Sequence, residues 1–312
     1  MPSPALSTFR KEDLLERNSS SPAFRFRMKD ARRYSNTPHH LLRFEGHVHF
    51  CQVSVYVGSE VNPFIIMATS RRALITGASS GIGLALAEQL CKDGHKVTIT
   101  VRDDQKAQST EQILNEKKIS VDIVKIDFSI WSSVIAGVKE MLEKKMIFDI
   151  VIFNAGTMFP NEPSTENGVE TCFQVNVLGH MYLADVLIKC RPPRHQIHFV
   201  CVSSALFRLC GGSWPLWRVP KEADDWLDAF RPRSRSGWRA YALSKFAITL
   251  LASQLNRIDG VSAVAVNPGN AITNVSRNMP SRHRRLLTVF KKTLISVVSF
   301  ELVLCVGSKK SH

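Results

Sequence analysis

Arg72-Ala73-Leu74-Ile75-Thr76-Gly77-Ala78-Ser79-Ser80-Gly81-Ile82-Gly83 is a short apolar run that closes in a glycine-rich turn, and Leu84-Ala85-Leu86-Ala87-Glu88-Gln89-Leu90 then carries apolar residues at helical spacing. The pattern predicts strand, turn and helix in that order. Gly77, Gly81 and Gly83 lack a Cβ, so the backbone can turn sharply and approach a ligand, while the first N–H groups of the new helix point at any phosphate docked there. Ser79 and Ser80 add hydroxyl donors. The spacing is G-x-x-x-G-x-G, not the strict G-x-G-x-x-G dinucleotide fingerprint. By itself the stretch therefore reads either as a phosphate cradle or as a plain tight turn.

Outward from this turn the same rhythm repeats. Strand-like runs at Ala73 to Ile75, Lys96 to Val101, Asp122 to Ile126, Ile150 to Phe153, His198 to Ser203 and Ser262 to Val266 alternate with helical stretches. That alternation predicts an α/β, doubly wound parallel sheet in a single domain. At 312 residues and 44% hydrophobic content the chain can bury a real core.

Tyr241-Ala-Leu-Ser-Lys245 sits in a mostly apolar helical stretch from Arg239 to Leu251, and residues four apart share a helix face. A phenol with an ordinary pKa of about 10 is a poor acid or base at neutral pH. An ammonium about 5 Å away, at an effective dielectric near 20, favours the phenolate by roughly 3 kcal/mol, which brings the group toward working range. The alternative is a buried Tyr beside a Lys that reaches for the surface.

Taken together, the glycine-rich turn and the Tyr-Lys pair resemble the short-chain dehydrogenase/reductase family, and further signatures follow in the family's order. These are Asn154-Ala155-Gly156 after an apolar strand, Asn176 in Gln174-Val175-Asn176-Val177-Leu178-Gly179, Ser203-Ser204 after Phe199-Val200-Cys201-Val202, and Asn267-Pro268-Gly269 with Thr273. The resemblance covers Arg71 to Asn278 and implies a Rossmann fold. It divides the chain into a poorly ordered extension over 1–66, a dehydrogenase domain over 67–280, and a basic C-terminal segment over 281–312. The long stretch from Ala205 to Ala240 resembles the insertion of the branch with retinol dehydrogenases and the WW-domain oxidoreductase, although no WW domain is present. Trp214, Trp217, Trp226 and Trp238 there either line an apolar substrate pocket or pack the insertion.

Roles follow from the same resemblance. Tyr241 is implied as the general acid or base that gives its proton to a carbonyl oxygen as a hydride reaches carbon. Lys245 lowers its pKa and meets the nicotinamide ribose. Ser204, the second of two serines, hydrogen-bonds the substrate oxygen, and Asn176 holds a water between Lys245 and solvent. Gly77, Ser79, Ser80, Gly81, Ile82 and Gly83 are implied at the pyrophosphate. Asp127 and Phe128 belong at the adenine, with Asn154, Ala155, Gly156, Pro268, Gly269 and Thr273 flanking the rest of the cofactor. The second strand ends in Val101 without an acidic tip and Arg102 follows, which favours NADP over NAD unless Asp103 pairs with Arg102 and blunts the preference.

The implied activity is NADP-linked interconversion of an alcohol and a carbonyl on an apolar substrate of the retinoid, steroid or lipid aldehyde class. The alternatives are a catalytically impaired cofactor-binding protein and a non-enzymatic relative at a membrane surface. A formal charge of +14 raises nucleic acid as a partner. The basic residues cluster in Arg231-Pro232-Arg233-Ser234-Arg235 and Arg282-His283-Arg284-Arg285 without interleaved aromatics, which argues against it. Leu286 to Val298 reads as an amphipathic helix that either covers the substrate or lies on a membrane surface. Lys291, Lys292 and Glu301 interrupt it before spanning length.

Seven scattered cysteines without C-x-x-C suit a reducing, cytoplasmic setting, and no zinc spacing is present, His39-His40 and His47-x-His49 included. Glu12, Asp13 and Glu16 weaken a mitochondrial leader, and the start lacks a secretory apolar region. The family's seventh strand has a doubtful candidate in Val303-Leu304-Cys305-Val306, and a homo-oligomer is common in the family.

Overall fold

The computed structural model describes residues 70–207, 210, 237–268, 279 and the backbone of 301–303. The expectations for residues 1–66, for Trp214, Trp217 and Trp226, for Gly269 and Thr273, and for the amphipathic stretch from Leu286 to Val298 lie outside them.

In chain order the elements are β1 (Arg72–Ile75), α1 (Gly81–Lys92), β2 (Lys96–Val101), α2 (Asp104–Glu116), β3 (Asp122–Lys125), α3 (Trp131–Glu143) and β4 (Ile150–Phe153). Next come a short α4 (Thr171–Phe173), a π turn (Gln174–Leu178), α5 (Gly179–Lys189), β5 (Ile197–Val202), a 3-10 turn (Ala205–Phe207), α6 (Gly237–Leu255), β6 (Val261–Asn267) and β7 (Glu301–Val303). They form one sheet in the order β3-β2-β1-β4-β5-β6-β7. The first six strands run parallel. β7 is antiparallel to β6, with Asn267 opposite Glu301 and Ala265 opposite Val303. The doubtful seventh strand is thus present, two residues earlier than its candidate.

Successive side chains of a strand face opposite sides of the sheet, and apolar runs therefore feed two cores. Leu74 and Val151 join Phe153, Phe199, Met141, Leu183 and Leu251 beneath α3, α5 and α6. Their neighbours Ile75 and Ile152 join Ile99, Val101 and Leu114 beneath α1 and α2. Burial on both faces explains why the strands read as continuous apolar runs rather than alternating ones.

This strand order has a topological consequence. From β1 the chain builds outward through β2 to β3, then returns to place β4 on the other side of β1. The loops leaving β1 and β4 diverge there, and a crevice opens at the carboxyl ends of the two strands, where open α/β sheets bind ligands.

Candidate active site

The loop after β1 is held by contacts that need its glycines. Gly77 has φ +64°, and a Cβ on it would lie 2.7 Å from Ala155 Cα. A Cβ on Gly83 would lie 2.5 Å from Asn154 Nδ2 and 2.8 Å from the Gly77 carbonyl oxygen. The Asn154 amide donates to the carbonyls of Thr76 and Gly77, both at 2.9 Å. In return the Thr76 hydroxyl accepts the backbone N–H groups of Asn154 and Ala155, again at 2.9 Å. The loops after β1 and β4 are thereby clipped into one cradle.

α1 starts at its rim with no acidic residue in the first turn and no capping bond from the Ser80 side chain. Ser79, Ser80 and Ile82 are half-buried and Gly81 is exposed. Close-packed glycines, a twelve-residue helix aimed at the crevice and flanking hydroxyls fit a pyrophosphate.

At the outer end β2 finishes in buried Val101, and Arg102 Nε lies 3.1 Å from Asp103 Oδ2 and 4.0 Å from Asp127 Oδ2. Asp103 also caps α2 by accepting the Lys106 N–H at 2.8 Å. That bond, followed by Arg102, holds its carboxyl below the ordinary value. The alternative Arg102–Asp103 pair is therefore formed, but its side chains are 49% and 40% exposed, so solvent screens the pair and it holds Arg102 only weakly against a competing phosphate. Asp127 accepts from the Ser129 backbone and hydroxyl. The Phe128 ring is 4% exposed and packs 4.6 Å from the His180 ring, so its side chain belongs to the core and only its backbone could meet a nucleotide.

At the inner end α6 brings Tyr241, Ser244 and Lys245 together, all buried. The Ser204 hydroxyl lies near enough to the Tyr241 phenol to pull its proton affinity down. Lys245 Nζ donates to the Val202 carbonyl at 2.7 Å and lies 5.7 Å from the Tyr241 ring centroid. A Cβ on Gly156 would lie 3.3 Å from Asn176 Oδ1 and, in ordinary contact, 3.5 Å from Lys245 Nζ, so Gly156 borders this group. Asn176 spends its side chain on protein partners, donating to the Thr157 carbonyl at 3.1 Å and Ser244 Oγ at 2.8 Å and accepting the Thr157 N–H at 2.8 Å. Ser203 bonds the Lys245 carbonyl and Thr249 Oγ1, which pins α6 to β5. Pro268 follows β6 and is half-buried.

Electrostatics run opposite to the simple expectation for the phenol. Burial pushes Tyr241 up to about 12, with the Ser204 hydroxyl pulling partly back. Burial likewise pushes Lys245 down to about 8. The ammonium is turned to the Val202 carbonyl in a dry core, so desolvation outweighs its pull on the phenol. For Lys245 the native value lies below the ordinary 10.5. Between those values the unfolded chain binds the extra proton, and stability rises with pH across the window. Tyr241, with a native value above its ordinary 10, opposes this only above pH 10. Thermal unfolding from about pH 8 to 10 should show a rise in Tm for the wild type that is flattened in Lys245→Met. Parallel curves for the two proteins would refute it.

Thr76, Ser244 and His180 belong to this network without having been singled out by motif. Ser244 stands inside the Tyr-x-x-Ser-Lys run and His180 four residues after Asn176, a spacing that offered the only signal.

A glycine-clipped cradle at the switch point of a doubly wound sheet, with half-buried Ser204 and buried Tyr241 and Lys245 at its inner end, defines an α/β protein of the dinucleotide-binding class. A family model described as short chain dehydrogenase matches residues 71–212. Human polyprenol dehydrogenase is 29% identical over 238 residues, 71% of this chain and 67% of that one. The human WW domain-containing oxidoreductase is 30% identical over 220 residues, 67% of this chain and 51% of that one. Human retinol dehydrogenase 13 is 27% identical over 72% of this chain and 66% of its own.

Among solved structures, an actinorhodin polyketide ketoreductase with NADPH superposes with a TM-score of 0.54 at 19% identity, over 73% of this chain and 83% of its own. A gluconate 5-dehydrogenase from Burkholderia cenocepacia with NADP and tartrate gives 0.51 at 22%, over 71% and 80%. These two likenesses speak for the fold. Residues 71–212 thus belong to the short-chain dehydrogenase/reductase family of oxidoreductases. Among the described residues no helix is long and apolar enough to cross a membrane.

Proposed function

We propose that the protein is an NADP-dependent oxidoreductase that interconverts an alcohol and a carbonyl on an apolar substrate. The observation that carries this reading is the meeting of Tyr241, Ser204 and Lys245 at the inner end of the crevice, under an apolar wall. Met158 and Met279 are buried against Tyr241, and Phe159, Leu206 and Trp238 pack onto them. Such a wall favours a greasy substrate over a sugar or an acid. Two relatives are named for polyprenol and retinol, both apolar alcohols.

Gly77, Ser79, Ser80, Gly81, Ile82 and Gly83 would hold the pyrophosphate. Arg102 and Asp127 would serve the adenosine end, and Asn154, Ala155, Gly156, Pro268, Gly269 and Thr273 the nicotinamide end. The bound cofactor supplies the hydride. Tyr241 gives its proton to the carbonyl oxygen, and the Ser204 hydroxyl donates to that oxygen as charge develops. The Lys245 ammonium favours the phenolate left behind. Asn176 holds the loop after β4 against α6, and by likeness to the family it would hold a water on the path from Lys245 to solvent.

Purified protein with NADPH and a panel of retinal, a ketosteroid and a long-chain aldehyde tests the reading. Oxidation of NADPH by at least one is expected. Protection against heat by NADPH with no turnover of any would leave a cofactor-binding protein without catalysis. On the cofactor, Arg102→Ala should weaken NADPH about tenfold or more through loss of a charge-assisted bond, with little change for NADH. Equal losses for both would assign Arg102 to folding or to the shared part of the nucleotide.

A further inference from the structure

One side chain joins the cradle to the π turn. His180 is 1% exposed, and its ring lies between Phe128 and Phe153, with centroids 4.6 and 4.7 Å away. Its Nε2 stands 2.9 Å from Thr76 Oγ1 and its Nδ1 3.2 Å from the Asn176 carbonyl oxygen.

Counting hydrogens fixes the tautomer. A threonine hydroxyl has two lone pairs and one hydrogen. At Thr76 the N–H groups of Asn154 and Ala155 occupy the lone pairs. The remaining hydrogen can go to His180 Nε2 at 2.9 Å or to the Ile152 carbonyl at 3.3 Å, and the imidazole is the nearer acceptor. Nε2 therefore accepts. A carbonyl only accepts, so Nδ1 carries the proton toward Asn176. An imidazolium would aim a third N–H at Thr76 Oγ1. Burial, aided by Lys245, also pushes the ring down to about 3.

From Asn176 the line continues, because its amide donates to Ser244 Oγ at 2.8 Å and Ser244 donates to the Tyr241 carbonyl at 2.7 Å. We propose that His180 is a positioning residue: as a neutral Nδ1–H imidazole it ties the Thr76 hydroxyl of the cofactor cradle to the Asn176 carbonyl, and so sets the cradle against the helix that carries Tyr241. This inference rests on the reading of cradle and Tyr241 as one reaction site.

The test has two arms on the full chain. In the first, NMR of protein labelled with nitrogen-15 histidine observes the side-chain signal that is absent from a His180 variant. A protonated Nδ1, an unprotonated Nε2 and no titration between about pH 5.5 and 8 are expected. The opposite tautomer, or a titrating ring, overturns the proposal.

In the second arm, NADPH titration by fluorescence compares wild type, His180→Phe and His180→Gln. Phe keeps the stacked ring and removes both nitrogens, whereas Gln restores one donor and one acceptor. Phe should weaken NADPH about three- to tenfold, the range of one lost hydrogen bond, and Gln should recover most of it. Unchanged affinity in the Phe variant, or Gln no better than Phe, assigns His180 to packing alone and overturns the proposal. If the wild type itself binds no NADPH, the cofactor reading fails separately, and the NMR arm by itself decides whether the strut exists.

Discussion

Tyr241→Phe is expected to lower NADPH-linked turnover of an apolar carbonyl by about 10²- to 10⁴-fold, the usual contribution of a positioned general acid, while NADPH affinity changes little. The substitution removes one oxygen and keeps the ring that Met158 and Met279 pack against. The fold and the apolar wall should therefore survive, and the loss should appear in kcat rather than in KM. Steady-state kinetics with whichever carbonyl is turned over best, alongside an NADPH titration, checks it. Undiminished turnover would move the proton to another group and sink the proposed role.

The raised phenol makes this expectation more specific. A group pushed up to about 12 holds its proton at neutral pH, which suits the reductive direction, where Tyr241 must donate. The reverse direction needs the phenolate, and its rate should depend more steeply on pH.

The second large effect concerns Gly77→Ala, which should cut NADPH affinity about 100-fold or more and destabilise the fold by about 1–3 kcal/mol. Two causes act together. At φ +64° an L side chain crowds its own backbone, and the new methyl would lie 2.7 Å from Ala155 Cα and 2.9 Å from Ala155 Cβ. The second cause is the more damaging, because the contact is with backbone that cannot rotate away. Relief requires the loop after β4 to retreat, which breaks the bonds from Asn154 and Ala155 to Thr76. Fluorescence titration with NADPH and thermal unfolding read the two effects. Full affinity in the variant would show that the cradle is not where the nucleotide binds.

Much of this was legible in the chain itself. The six parallel strands follow from short apolar runs bounded by turns. The cradle follows from three glycines at a strand–helix junction, and the Tyr241–Lys245 pairing from a four-residue helical spacing. Each is a local property, written in periodicity and in what a missing Cβ permits. The Arg102–Asp103 pair was likewise foreseeable, since the two residues are adjacent.

What the tertiary structure decided depends on neighbours distant in sequence. The Thr76–Asn154 clip spans 78 residues, and no pattern in either loop announces it. Close approach of Gly179 and His180 gives the Phe128 ring a place in the core, which its position beside Asp127 does not announce. The opposite shifts of Tyr241 and Lys245 arise from desolvation, which is set by everything packed around a group and not by its spacing to one partner. His180 reads as one more residue on an apolar helix until folding puts Thr76 at one nitrogen and Asn176 at the other. Sequence thus fixed the elements and their chemistry through short-range sterics and periodicity, while hydrogen-bond partners and proton affinities waited on distance in space.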